Sequence, residues 1–140
     1  MKIVSNDFSD EEFLDKKFGY RRENIPPHLE WKDFPNDTKS FALICDDPDA
    51  GNWLHWAVVN IPQDISEISQ GGPIPGMELK NDFGKKGYGG PAPPSGTHKY
   101  SFRIYALDVN KLEDVNKNNF MHKINDHILD SAEIIGLYKS

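Results

Sequence analysis

The chain has 140 residues, with 16 Lys and Arg against 22 Asp and Glu, a net charge of -6 and 37% hydrophobic residues. A single domain of this size buries roughly two-thirds of the surface its unfolded chain exposes, so a true core is available. The acidic balance disfavours sequence-independent binding to nucleic acid or to an anionic membrane, both of which need a basic surface.

In chain order, Met1 to Asp7 carries no apolar h-region, and no stretch approaches the ~20 apolar residues that span a bilayer. The expectation is a cytoplasmic chain with no stable membrane insertion. The run Lys39 to Cys45 reads as a buried strand, and Cys45, the single cysteine, is expected to pack rather than react and has no intrachain partner for a disulfide. Asp46-Asp47-Pro48-Asp49-Ala50-Gly51 follows as a turn. Its plain reading is a solvated connection; the sharper one has Pro48 lock the chain so that Asp47 points into a cavity and orients a histidine or meets a ligand.

Trp53 to Ile61 is the next strand, in which strict alternation puts Trp53, His55, Ala57 and Val59 on one face and Leu54, Trp56 and Val58 on the other. A lone His in such a strand is more often a satisfied core residue than a functional one. Residues Asp64 to Tyr88 show no period and are expected to be irregular.

Gly89 to Tyr100 holds three prolines and three glycines in twelve residues, which predicts a specific and rigid path. It delivers His98 and Tyr100 to the same face of a strand running to Leu107, roughly 7 Å apart, close enough to grip one small polar ligand. The apolar positions Phe120, Met121, Ile124, Ile128 and Leu129 predict a helix from about Asn118 to Ser131, capped by Asn118 or Asn119. His122 and His127 on this segment lack the i, i+4 spacing of a helical metal pair and are expected to be solvated or packed. Glu133 to Tyr138 reads as a last strand. With no internal repeat and no linker, residues 1–140 read as one domain.

The segments Asn24-Ile25-Pro26-Pro27-His28-Leu29-Glu30-Trp31, Asp47-Pro48-Asp49-Ala50, His55-Trp56, Gly87-Tyr88-Gly89-Gly90-Pro91 and Pro93-Pro94 through Gly96 to His98 and Tyr100 resemble, in order and spacing, the phosphatidylethanolamine-binding protein family, also called the Raf kinase inhibitor protein family, in its short bacterial and archaeal form. The resemblance implies a mainly β, Greek-key sandwich of two antiparallel sheets with one short helix towards the C-terminus. It further implies a small anion pocket formed by Asp47, Asp49, His55, Pro94, Gly96, His98 and Tyr100, which takes a phosphorylated or carboxylate ligand and needs no cofactor and no metal. Some relatives bind and restrain protein kinases, so a protein partner is an expectation from the resemblance alone, as is homodimerisation.

Four departures from the family pattern stand out: Gly51 in place of a proline, Ala92 where many microbial members have cysteine, Lys99 in place of arginine, and Ile25 in place of a small polar residue. Gly51 is expected to loosen the turn that aims Asp47. The resulting reading is a non-catalytic binding protein. The alternative is a hydrolase or other phosphoryl-handling enzyme using the same His, Tyr and Asp residues, for which the chain offers no convincing nucleophile: Ser95 lies outside any Gly-x-Ser-x-Gly elbow and Cys45 is placed mid-core.

Overall fold

A computed structural model describes residues 1–140. Its strands are β1 (Lys2–Val4), β2 (Glu12–Phe13), β3 (Leu29–Lys32), β4 (Ser40–Asp47), β5 (Trp53–Pro62), β6 (Glu67–Ile68), β7 (Met77–Glu78), β8 (Thr97–Leu107) and β9 (Ile128–Lys139), with one helix, α1 (Phe120–Asn125). They form two sheets, in the orders β1-β3-β6 and β2-β9-β8-β4-β5-β7. The mainly β sandwich with a single short helix is therefore as expected. Every pairing is antiparallel except one edge contact, where β2 runs parallel to β9.

Strand β4 is buried along its whole length because both of its faces are covered. Phe41, Leu43 and Cys45 face the small sheet and pack with Leu29, Trp31, Trp56, Phe102 and Ile104. Ala42 and Ile44 face the opposite way and pack with Ala57, Val59, Leu112 and Ile124. A continuous apolar run is the signature of such a two-sided strand. The large sheet is thus a middle layer, with the small sheet on one side and the α1 segment on the other. The long connection from β5 returns the chain to the free edge of β4, where β8 pairs from Ser40↔Leu107 to Asp46↔Ser101. That crossover brings the end of β4 and the starts of β5 and β8 to one end of the sheet.

The predicted helix over Asn118–Ser131 is corrected to six residues, Phe120–Asn125. Ile128 to Ser131 belong instead to β9, which pairs with β8 from Thr97↔Lys139 to Leu107↔Ile128. The backbone edge of β8 pairs with Ile128, Asp130 and Ser131, Leu129 being the extra residue at a register shift, and that non-local ladder overrides a modest local helix preference. Asn119 is the residue before the helix but makes no capping bond; its side chain instead accepts from the backbone N–H of Asn116 at 2.8 Å. His122 is exposed and His127 pairs with Asp108 at 2.8 Å, so the two do not converge.

Candidate functional site

Asp47 is the last residue of β4, and Pro48–Ala50 form a single 3₁₀ turn directly after it. The Asp47 Oδ1 accepts from the Asp49 backbone N–H at 2.9 Å, while its Oδ2 accepts from His98 Nδ1 at 2.7 Å. Held at both oxygens and 3% exposed, the carboxylate has one orientation. The turn is closed by Gly51 at φ +64, a value no proline can adopt. Two bonds to the Asp47 carboxylate hold it across this turn.

His55 reaches the same cavity through a departure from strand alternation. Cys45 opposes Trp56 and Asp46 opposes Leu54, so His55 is an extra residue, a β-bulge in β5. The strict alternation expected for Trp53–Ile61 therefore fails here: Leu54 joins Ala57 and Val59 on the helix side, while His55 turns to the face of Tyr100, its ring 5.1 Å away. Lacking a ladder partner, the His55 carbonyl accepts the Gly89 N–H at 2.9 Å, and its Nδ1 donates to the Gly89 carbonyl at 2.6 Å. A carbonyl can only accept, so the proton of His55 sits on Nδ1 and Nε2 presents a lone pair.

The Gly89–Pro94 loop is fixed by close approach as well as by its prolines. Gly90 N–H donates to Asn24 Oδ1 at 2.7 Å, and a Cβ at Gly90 would lie 2.0 Å from the Phe18 carbonyl oxygen. Asn81, buried in the otherwise irregular 64–88 segment, accepts from the Phe83 N–H at 2.9 Å and donates to the Gly87 carbonyl at 2.9 Å. This brace holds the Phe83 ring at 5.6 Å from both Trp53 and His55.

Together these elements enclose a cavity of about 230 Å³ lined by Asp47, Trp53, His55, Phe83, His98 and Tyr100, with Ala50, Ala92, Pro93 and Pro94. Of the sequence-named residues, Asp47, His55, Pro94, His98 and Tyr100 come together. Asp49 and Gly96 do not line it: Asp49 Oδ2 accepts from the Lys99 N–H at 2.9 Å, and Gly96, at φ +69, turns the chain into β8. Phe83 was missed because its segment carries no period, and only the buried Asn81 hints that the segment is ordered.

The cavity holds two imidazole rings, one phenol and one carboxylate. Burial lowers the pKa of His55, against the opposing hydrogen bond to Gly89 and the charge of Asp47. Burial, and then the neighbouring Asp47 charge, raises that of Tyr100, which stays a hydroxyl donor at neutral pH. Burial likewise pushes the Cys45 thiol up, which keeps it unreactive.

A larger cavity of about 470 Å³ lies on the opposite face of the sheet, between Leu54 and Phe120. Its charged groups are paired, Asp46 with Arg103 at 2.6 Å and Asp82 with Lys117 at 3.2 Å, although the buried Arg103 Nε has no partner.

The sequence profile of the phosphatidylethanolamine-binding protein family matches residues 4–139. The chain belongs to that family. As a member, it is 40% identical to a UPF0098 protein of Methanothermobacter thermautotrophicus over 149 residues, covering 99% of each chain. It is also 40% identical to the UPF0098 protein YbhB of Escherichia coli, again over 99% of each chain. Among solved structures it superposes on CT736 of Chlamydia trachomatis, described as a phosphatidylethanolamine-binding protein homolog, with a TM-score of 0.93 at 33% identity, covering 99% of this chain and 97% of that one. E. coli YbcL, described as a new member of the mammalian family, matches with a TM-score of 0.90 at 30% identity over 99% and 98% of the two chains. The family fold thus extends over this chain's full described length, and no helix in it is long and apolar enough to cross a membrane.

Proposed function

We propose that this family member binds, without transforming it, a small ligand bearing a phosphoryl or carboxylate group in the Asp47–His55–His98–Tyr100 cavity. The observation that carries the reading is the buried Asp47 carboxylate bound to His98 Nδ1 at 2.7 Å. That bond leaves Nε2 facing the cavity, and a proton there gives a charge-assisted donor with the counter-charge already in place. The Tyr100 hydroxyl supplies a second donor. Trp53, 40% exposed, lines the mouth beside Phe83, so this exposed aromatic belongs to a headgroup-sized site rather than to a flat partner surface. Binding without turnover is supported by the lack of a placed nucleophile, since Ser95 is exposed outside the cavity and Cys45 is buried beneath it.

His55 predicts a proton linkage. Its Nε2 lone pair accepts, so an anionic oxygen can meet it only when a proton arrives, either on the ligand or on the ring. Binding therefore takes up a proton, and affinity for a phosphomonoester rises as pH falls from about 8 to 6, by up to about tenfold per unit for one proton. Calorimetry in buffers of different ionisation enthalpy reads that uptake directly. Affinity that is flat across this range is the contrary result.

The site assignment is tested by His98→Ala and Tyr100→Phe, each with phosphoethanolamine followed by NMR against matched chloride. Each loses a donor worth about 1–2 kcal/mol, so affinity falls roughly tenfold with the circular dichroism spectrum unchanged. Unchanged binding in both variants overturns the assignment.

A further inference from the structure

Beside the candidate site lies a second cleft of about 230 Å³, lined among others by Lys16, Arg21, Arg22 and Lys139. It shares a wall with the first cavity, because Ala92, Pro93 and Pro94 line both. Building on the reading above, we propose that this cleft holds the second anionic group of the ligand, so that the favoured ligand is a small molecule with phosphate groups at both ends.

Charge is the first argument. In a chain of net charge -6, four cations line one concavity with Tyr138 and Ser140, none of them in an ion pair within 4.0 Å, and the Lys16 ammonium donates to the Lys139 carbonyl. Like charges gathered this way repel, and an anion placed among them removes that cost. Arg21 and Arg22 each offer a planar fork matched to phosphate oxygens.

Rigidity is the second argument. The segment carrying Lys16, Arg21 and Arg22 is tied down by Tyr20 N–H donating to the Pro91 carbonyl at 2.9 Å, by Asn24 N–H donating to the Lys17 carbonyl at 3.0 Å and by Tyr138 O–H donating to the Lys16 carbonyl at 3.0 Å. The Lys16 ammonium also stands 4.6 Å from the centroid of the Tyr138 ring. The backbone that presents the cations is therefore set before a ligand arrives, which lowers the ordering cost of binding. The Tyr20–Pro91 bond fixes it to the same loop that forms the first cavity.

Geometry sets the ligand's length. A wall one peptide chain thick is about 5 Å across, so a spacer of about three to six carbon atoms lets one phosphate reach His98 while the other reaches the arginines. An anionic bilayer is the less favoured occupant, because the cations line a concavity and the chain as a whole is acidic.

The test is calorimetric titration with butyl phosphate and with 1,4-butanediol bisphosphate, on the wild-type chain and on the Arg21→Ala/Arg22→Ala double variant. Both arginines are exposed, so the variant is expected to keep its circular dichroism spectrum and melting temperature. In the wild type the bisphosphate binds at least tenfold tighter than the monophosphate, well beyond the statistical factor of about two for its two ends. In the variant that ratio falls to about two while butyl phosphate loses less than threefold. Equal affinities in the wild type, with butyl phosphate bound, overturn this inference and leave the first site standing. A wild type that binds neither butyl phosphate nor inorganic phosphate overturns the first reading and this one with it. A tenfold ratio that survives in the variant removes the cleft from the assignment. Phosphatidylserine vesicles bound through the same arginines, without any preference for the bisphosphate, would give the cleft to a lipid surface instead.

Discussion

Asp47→Asn weakens phosphoethanolamine binding by about tenfold, with little change in stability. The substitution is nearly isosteric, and the amide oxygen can still accept the Asp49 N–H now bound by Oδ1 at 2.9 Å, so the turn after β4 persists. What changes is His98. In the wild type its Nδ1 donates to a carboxylate at 2.7 Å, and a proton on Nε2 makes an imidazolium beside a negative charge. An asparagine presents an N–H₂ in that place, Nδ1 becomes the acceptor, and Nε2–H becomes a neutral donor. Charge-assisted bonds are about twice as strong as neutral ones, a difference of roughly 1–1.5 kcal/mol or about tenfold in Kd. Calorimetry at pH 6, 7 and 8 reads the loss against the wild type. A variant with wild-type affinity at all three values would remove Asp47 from the site.

Gly90→Ala has the largest expected effect on the fold and carries the site with it. The new Cβ would stand 2.0 Å from the Phe18 carbonyl oxygen and 3.0 Å from the Gly19 carbonyl carbon, both main-chain atoms that cannot rotate away. Either the 18–20 segment or the Gly89–Pro94 loop must move, and each is anchored: Tyr20 N–H to the Pro91 carbonyl at 2.9 Å, Tyr88 O–H to the Phe18 carbonyl at 2.8 Å, Gly90 N–H to Asn24 Oδ1 at 2.7 Å. Forced overpacking of this kind costs about 3 kcal/mol, which lowers the melting temperature of a domain of this size by about 10 °C. Because Gly89 also holds His55 at both its carbonyl and its Nδ1, the shift propagates to the ring, and phosphate binding weakens together with stability. Gly84→Ala serves as the control, since a Cβ there meets nothing within 4 Å, although its φ of +81 adds a modest strain. A Gly90→Ala chain that melts with the wild type would show that the two segments do not pack as closely as described.

The strands that frame the site were legible because their signals are local. Alternating or continuous apolar runs bounded by Gly, Pro, Asp and Asn mark β4, β5 and β8 to within two residues of their observed ends. The rigidity of the Gly89–Tyr100 loop was legible for the same reason, since each proline restricts its own φ whatever surrounds it. Where a neighbour decides, sequence reading went astray. The stripe Phe120 to Leu129 is a fair helix by period, yet its second half becomes strand because β8 has an open edge beside it. Alternation assigned His55 to the wrong face because a β-bulge is set by the register between two strands. Phe83 was invisible because a braced irregular segment leaves no periodic trace.

Residue order alone determined the family, the mainly β architecture and four polar side chains of the candidate site, Asp47, His55, His98 and Tyr100, because each depends on short motifs whose conformational meaning is local. Tertiary structure alone decided that Asp47 and His98, 51 positions apart, share a hydrogen bond, and that Lys16 and Lys139 line one cleft. Those juxtapositions come from strand register and loop packing over long sequence separations, and pairwise geometry of that kind is stored in the fold as a whole rather than in any segment of the chain.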